Sequence, residues 1–485
     1  MNVKNLEPSV IWRYFDAVTQ IPRPSKKEEK IVQFLVDFAH QQELEVKKDK
    51  AGNVLIRKPA SPGKENLKTV ILQSHVDMVC EKNSDVNFNF ETDPIQTYVD
   101  NGWVRAKGTT LGGDDGIGVA AALAILASKD IEHGPIVGLF TTDEETGMTG
   151  AYALSKDFLT GDIFLNLDTE EWGEFCIGCA GGKDTIGTFH YTKTVAPTDY
   201  FWFEVQVSGL KGGHSGGDIH VGLGNANKII TRYLWTLLQE CPLRLASIDG
   251  GNLRNAIARE AKAIAGVPTA NKEKVSVWLN VLQANISAEL AEVDKNVKLS
   301  VNSVEKPAHC IDVKTGTNLL NALYAMPHGV MGMSHKIDNL VETSTNLASL
   351  KMNENETITV TTSQRSSTES LKVDVSNQVT AVLLQAGAEV CGTDGYPGWT
   401  ANPDSTILGI SKAIYKNLFG QTPDIYARHF GLECGLFIEK NQKLDMISCG
   451  PTIRGAHSPD ERLEIETVGK WWKFLLELLK AIPGK

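Results

Sequence analysis

Several things are missing from this 485-residue sequence, and each absence closes off a class of function. There is no block of Lys or Arg, and the formal net charge is −11. That balance argues against nucleic acid or an anionic membrane as the main partner, because both attract basic patches. No apolar run approaches membrane-spanning length, and the opening MNVKNLEPSVIWRYF lacks the basic start and apolar core of an export signal. A cytoplasmic protein is expected. Cysteine is sparse: Cys80, Cys176, Cys179, Cys241, Cys310, Cys391, Cys434 and Cys449 form no dense framework, so reduced thiols in a reducing compartment are expected. The one close pair, Cys176-Ile-Gly-Cys179, has no second CxxC, and CIGCAGG reads as a tight turn, not as half a zinc site. Low-complexity linkers and internal repeats are absent as well.

What is present is the composition of a globular protein, 42% hydrophobic and 22% charged, in a chain long enough for two or three domains. A small-molecule or peptide substrate fits it best. Ser25-Lys-Lys-Glu28 reads as a capping box before a helix with Ile31, Phe34, Leu35 and Phe38 at helical spacing. Strand-like runs LEVKK, NVLIRK and TVILQSHVDMV follow. To about residue 170 apolar runs then alternate with a helix, GIGVAAALAILASKD, through IVGLFTTDEE and DIFLNLDTEE. This pattern predicts an α/β fold, a mostly parallel sheet with helices on both faces.

The texture changes near residue 190. YFWFEVQVSG alternates, NKIITRYLWTLLQEC and VWLNVLQANISAELAEV read as helices, and NVKLSVNS and ETITVTTS as a strand pair. After YPGW at 396–399 the α/β texture returns with TILGISKAIYKNLF, LDMISCG and VGKWWKFLLELLKAI. The expected division is a catalytic domain at 1–189 and 392–485, interrupted by an inserted α+β lid domain at 190–391.

The ends of the apolar strands carry the chemistry. TVILQ runs out at Ser74-His75-Val76-Asp77, and the next element supplies Gly113-Asp114-Asp115-Gly116. IVGLF leads to Asp143-Glu144-Glu145, DIFLN to Asp168-Thr169-Glu170, and LDMISCG to His457-Ser-Pro-Asp460. In open α/β sheets ligands bind beyond the carboxyl ends of the strands, so these groups are placed to converge. Taken singly, each reads better as a solvated loop charge; five stations at the same place on successive strands do not. So many carboxylates in one crevice need cations, and two histidines with at least three carboxylates suit two zinc-like ions. His75 and Asp77 share a strand face, so Asp77 can orient the imidazole. Glu144 and Glu145 point apart, which lets one bind metal while the other acts as general base on water, for amide or ester hydrolysis.

SHVDM, GTTLGGDDGIG, DEETGM, LNLDTEE, CAGG, LKGGHSGGDIHVGLGNANK, RNAIARE, YPGW, GLECGLF and GPTIRGAHSPDE together resemble the bacterial aminoacyl-histidine dipeptidases, within the cocatalytic zinc peptidases that include carnosinases and glutamate carboxypeptidases. The resemblance covers essentially the whole chain. It implies a di-zinc exopeptidase-like catalytic domain with a lid, and hydrolysis of unblocked dipeptides including Xaa-His. It implies two zinc ions per chain, replaceable by cobalt or manganese, and a homodimer. His75, Asp114 and Asp168 would hold one ion and Asp114, Glu145 and His457 the other, with Glu144 as general base and Asp77 orienting His75. In the lid, His214 of GGHSGG is similar to the histidine that steadies the oxyanion, from its own chain or its partner's, and Asn255 and Arg365 resemble the groups that hold the substrate's amide and carboxylate. His220 and Glu433 are weaker candidates, Glu433 for the substrate amine. The relatives usually carry Asp-Asn where this chain has Asp114-Asp115, which leaves the second aspartate unassigned. An N-acyl-amino-acid deacylase or a tripeptide aminopeptidase on the same centre is the alternative, with a non-catalytic peptide-binding protein the reading from outside enzymes.

Overall fold

The computed structural model describes residues 3–485. They fall into two compact units: residues up to Gly178 with Trp399–Ala427 and Leu432–Lys485, and Cys179–Gly398 with Arg428–Gly431. The first unit carries β1 (Glu45–Lys48), β2 (Val54–Lys58), β3 (Val70–His75), β4 (Ile136–Thr141), β5 (Ile163–Asn166), β6 (Glu174–Cys179), β7 (Asp424–Arg428) and β8 (Asp445–Ser448). Their order across the sheet is β1-β2-β4-β3-β5-β8-β6-β7. β3 runs parallel to β4 and β5, and β8 parallel to β5, while β2 meets β4 antiparallel. Every residue of β3, β4 and β5 is buried. Strands with both faces covered need apolar side chains on both, which is why their sequences run nearly unbroken in Val, Ile, Leu and Phe.

Three helices near the start of the chain matter for the site: α1 (Ser9–Thr19), α2 (Glu29–Gln41) and α3 (Gly113–Ala127). α3 is buried from Gly113 to Leu126 and packs against α1 and β3; its Ala and Gly residues allow that close approach. α2 buries Ile31, Leu35 and Phe38 as its spacing predicts, but the expected capping box does not form. Glu28 stands at the helix start without capping it through its side chain. The Ser25 hydroxyl donates instead to Asp77, and Glu28 Oε1 accepts from the N–H groups of Lys26 and Asp143. Tertiary partners have taken both groups that a local motif would have used. Cys176 and Cys179 also depart from expectation: both lie buried on the extended strand β6, not in a tight turn, and neither is in a disulfide.

The second unit is built on an antiparallel sheet ordered Lys298–Ser303, Tyr200–Ser208, Ala261–Pro268, Arg244–Gly250, Val341–Met352, Thr357–Ser366, Gly181–His190 and Glu389–Gly392. Gly181–His190 pairs along its whole length with Thr357–Ser366, which ties the chain to this unit well before residue 190. NVKLSVNS and ETITVTTS do not pair with each other: Lys298–Ser303 lies on Tyr200–Ser208, and Thr357–Ser366 on Val341–Met352. The helix Ala226–Glu240, capped by the Asn225 side chain on the Lys228 N–H, buries Ile230, Tyr233, Leu234 and Leu237 in this unit's core. Among the described residues no helix is long and apolar enough to cross a membrane.

Candidate metal centre

The parallel strands β4, β3, β5 and β8 lie side by side, and the chain leaves each at the same edge of the sheet. His75, the last residue of β3, is almost wholly buried. Its Nε2 lies 3.0 Å from Asp114 Oδ1 and 3.5 Å from Asp168 Oδ1. The other oxygen of Asp114 faces His457: Oδ2 is 3.2 Å from His457 Nε2, which is itself 3.0 Å from Glu145 Oε2. Two donor groups result, His75/Asp114/Asp168 and Asp114/Glu145/His457, each with its candidate ligand atoms within 4.8 Å of one another. Asp114 belongs to both.

Local sequence explains how these side chains get there. Asp114 stands at the start of α3 but outside helical geometry, with φ −79° and ψ 116°, so its carboxylate is turned off the helix axis; the peptide to Asp115 is cis. After β4 the chain turns at Asp143, in the left-handed region at φ +53°, where the Thr146 and Thr149 hydroxyls donate to its carboxylate. That turn aims the N–H groups of Glu144 and Glu145 at Asp77, which accepts them at 3.1 Å and 3.2 Å. Asp77 also accepts from Ser25 at 2.8 Å and lies 3.4 Å from His75 Nδ1. One carboxylate therefore positions both the histidine and the two glutamates.

Electrostatics around the centre are those of crowded carboxylates. Burial, then the carboxylates of Glu433, Glu145 and Asp114, push Glu144 up to about 8 against the pull of His75. Asp168 is raised well above the usual range, first by burial and then by Asp114 and Asp115. Hydrogen bonds from both histidines overcome the burial of Asp114 and hold it far below that range. His457 is raised to about 11 by Asp114 and Glu145. Glu145 Oε1 is buried without a protein hydrogen-bond partner. Two imidazole nitrogens, three carboxylates and an orphaned carboxylate oxygen form a mixed N/O donor set that fits divalent cations of the zinc type. A third acidic group, Glu28/Asp77/Asp143, is equally compact but spends its oxygens on N–H and O–H groups of the protein.

The other expected residues lie in the second unit. His214 sits in a short bridge, Gly213–His214 against Ala256–Ile257. Its Nδ1 accepts from the N–H groups of Gly216 (3.3 Å) and Gly217 (2.9 Å), so the neutral ring carries its proton on Nε2. Burial, then Arg365, lower its pKa, which keeps that ring neutral. Arg365 is buried, with Nη1 on the Tyr396 hydroxyl and Nε 3.4 Å from Ser215 Oγ. Asn255 is exposed, and its carbonyl accepts the Ser215 N–H at 2.8 Å. His220 is exposed in a turn.

The first unit also holds Glu433, a weaker candidate from the sequence, and several groups that sequence reasoning missed. Glu433 opens the helix Glu433–Lys440 with its side chain buried beneath β3 and β4, where Gln73 and Thr141 donate to Oε2 at 2.7 Å and 2.9 Å; burial raises it to about 7. Gln73 in turn accepts from Asn166, which accepts from Ser448, so a polar network joins the four parallel strands below the donors. Arg23 and Glu461 grip the loop before Asp114. Alternation of polar residues in otherwise apolar strands was the available signal for Gln73. Glu461 offered only its place four residues after His457.

A family model described as peptidase family M20/M25/M40 matches residues 71–481. The chain is 43% identical over 483 residues to the cytosol non-specific dipeptidase of Escherichia coli (strain K12), covering 100% of this chain and 99% of that protein. The crystal structure of an aminoacylhistidine dipeptidase from Vibrio alginolyticus superposes with a TM-score of 0.95 at 44% identity, over 100% of this chain and 99% of that one. The aminopeptidase PepT of Bacillus cereus ATCC 10987 shares the fold at 14% identity and a TM-score of 0.55, over 98% of this chain and 99% of that one.

Proposed function

The chain belongs to peptidase family M20/M25/M40 and is a metallo-dipeptidase, and on that premise we propose that it hydrolyses unblocked dipeptides, Xaa-His among them, at a centre whose residues would hold two zinc ions with Asp114 as a ligand for both. The observation that carries this reading is the split of Asp114: one oxygen turned to His75 and the other to His457, each histidine beside a further carboxylate. His75 and Asp168 would hold one ion, Glu145 and His457 the other. When bound, such ions polarise a carbonyl and lower the pKa of water from 15.7 to roughly 7.

The remaining work falls to protein groups. Glu144, its N–H fixed by Asp77, takes the proton of the attacking water on its carboxylate and returns it to the leaving amine nitrogen. His214 donates Nε2–H to the oxygen that gains charge, a role that requires the neutral tautomer its Nδ1 contacts select. Arg365 pairs its planar fork with the substrate's free carboxylate, and Asn255 hydrogen-bonds the substrate's amide. The protein is a cytoplasmic homodimer in this reading, which fractionation and light scattering check.

Glu144→Gln tests the reading. The variant should retain close to two zinc ions per chain and lose turnover by roughly 10²- to 10⁴-fold. Near-full activity in that variant would sink the mechanism. Rates on β-Ala-His, Gly-Leu, a tripeptide and an N-acetyl amino acid should rank the two dipeptides far above the others.

A further inference from the structure

The loop that leads into Asp114 is gripped from both sides by charges that are not themselves candidate ligands. Four consecutive N–H groups converge on the buried carboxylate of Glu461: Leu111 and Gly112 on Oε2 at 2.7 Å and 3.0 Å, Gly113 and Asp114 on Oε1 at 2.7 Å and 3.3 Å. The Glu461 side chain is 2% exposed, so these hydrogen bonds face no competition from solvent. Successive N–H groups turned inward make an anion-binding concavity, and Gly112 at φ +67° supplies the left-handed residue that closes it. On the carbonyl side stands the guanidinium of Arg23, also 2% exposed. Its Nη2 donates to the Gly112 carbonyl, and its Nη1 donates to the carbonyls of Val76 and Asp77 at 2.9 Å and 2.8 Å. A side chain on Gly112 would run into Arg23 Nη2, so the grip leaves room for glycine alone there.

The two grips connect three segments of the centre that lie far apart in the chain, those of His75, Asp114 and His457. Glu461 follows His457 by four residues in a turn closed by the Ser458 hydroxyl on Gly455 and the Glu461 N–H on Ser458. The segment 457–461 therefore offers a donor at one end and fixes the Asp114 loop with the other. Arg23 joins that same loop to the backbone of Asp77, whose carboxylate lies beside His75.

We propose that Glu461 and Arg23 are positioning residues for the metal centre, fixing the loop so that Asp114 presents one oxygen to each histidine. Neither touches a substrate or an ion; both act through Asp114. The inference rests on Asp114 as the shared ligand. In Glu461→Gln an amide N–H replaces one oxygen and must face two of the four backbone N–H groups, so half of the grip turns repulsive while size is kept.

The test measures metal directly. Zinc affinity of the full chain is determined by competition with a chromophoric chelator, and the visible spectrum of the cobalt-loaded protein reports coordination geometry. Three variants are compared with wild type: Glu461→Gln, Asp114→Asn and Gly113→Ala. In the last, a new Cβ 3.2 Å from Glu461 Oε1 displaces the carboxylate by a few tenths of an ångström while keeping every donor. Glu461→Gln should bind zinc roughly 10- to 100-fold more weakly, the range for removing a group that orients a ligand, and should shift the cobalt spectrum. Gly113→Ala should shift both in the same direction by less. If Asp114→Asn loses zinc while Glu461→Gln matches wild type in affinity and spectrum, the positioning role is wrong and the shared-ligand reading stands. If Asp114→Asn keeps both ions, the shared-ligand reading fails and takes this inference with it. Should Glu461→Gln not fold, Gly113→Ala decides: unchanged affinity and spectrum overturn the proposal.

Discussion

Replacing Asp77 by Asn isolates what one buried carboxylate does for three neighbours. Asp77 is completely buried, with Oδ1 accepting the Glu144 N–H and lying 3.4 Å from His75 Nδ1, and Oδ2 accepting the Ser25 hydroxyl and the Glu145 N–H. An Asn keeps only one acceptor oxygen. If it takes the Oδ2 position, its NH₂ faces the Glu144 N–H at about the native 3.1 Å, donor against donor; in the other orientation it faces Glu145 and Ser25, and the serine can rotate to accept. Either way at least one buried N–H loses its partner, which costs roughly 1–3 kcal/mol. The first orientation has a second consequence. An NH₂ beside His75 Nδ1 makes that nitrogen an acceptor and moves the ring proton to Nε2, the nitrogen turned towards Asp114 and Asp168.

A ring with its proton on Nε2 cannot offer that nitrogen to a cation, so zinc affinity should fall roughly 10- to 100-fold. Turnover at saturating zinc should fall as well, because the Glu144 turn is released. Competition with a chromophoric chelator reads the first effect and steady-state hydrolysis of a dipeptide the second. Ser25→Ala is the control: it removes one of the three donated hydrogen bonds, should lower stability by about 1 kcal/mol, and should leave zinc affinity where it was. An Asp77→Asn protein with affinity and turnover both within twofold of wild type would refute the assignment of Asp77 to His75 and to the glutamate turn.

His214→Ala should lower kcat roughly 10²- to 10³-fold, the range for loss of one oxyanion donor, with zinc content unchanged; equal loss of metal would contradict it. Arg365→Lys cannot keep the Tyr396 and Ser215 contacts with one ammonium group, so KM for free dipeptides should rise while hydrolysis of C-terminally amidated dipeptides changes little. Burial holds His328 at about 4, and burial with Arg365 holds His429 at about 3, both below the unfolded value near 6.5. Their neutral forms thus contribute stability that is full above pH 6.5 and is lost as pH falls toward 4, by up to roughly 3 kcal/mol each at pH 4. Urea midpoints of wild type and His328→Gln across pH 4–7 check this: the variant's acid loss should be smaller, and parallel curves would dismiss it.

What could be read from the sequence followed the range of the forces involved. A strand buried on both faces writes itself as an unbroken apolar run, so β3, β4 and β5 and the charged residues at their ends were visible one by one. Their convergence needed only the rule that parallel strands end on the same side. The misread capping box and turn share one cause, a long-range partner competing with a local motif. Ser25 and Glu28 have the spacing of a capping box, but Asp77 and the Asp143 N–H lie within reach in the fold, and two buried groups without partners would cost more than one uncapped helix start. CIGCAGG has the glycines of a turn, yet pairing extends the chain straight through it as two strands. In the second unit NVKLSVNS and ETITVTTS, read as a strand pair, each pair elsewhere: Lys298–Ser303 with Tyr200–Ser208, a partner so distant in sequence that it leaves no local signature, and Thr357–Ser366 with Val341–Met352, the strand just before it across a short turn.

The adjacent aspartates show how far the residue alone can be trusted. Asp114 and Asp115 are the same side chain on consecutive positions at the start of one helix, and burial penalises both. Asp114 points off the helix to two imidazoles. Asp115 turns back into it, where Oδ1 accepts the Gly118 N–H at 3.2 Å and a side chain on Gly118 would collide with the carboxylate and with Ser74. A carboxyl that satisfies an N–H three residues ahead is doing what a helix-start cap does, and an amide oxygen serves that bond equally well. Asn at 115, as in the resembling sequences, therefore keeps the contact that holds this residue, whereas Asn at 114 takes an oxygen from one of the two histidines. The two charges share a motif but not a role, because the backbone rotates one toward the strand ends and the other toward its own helix.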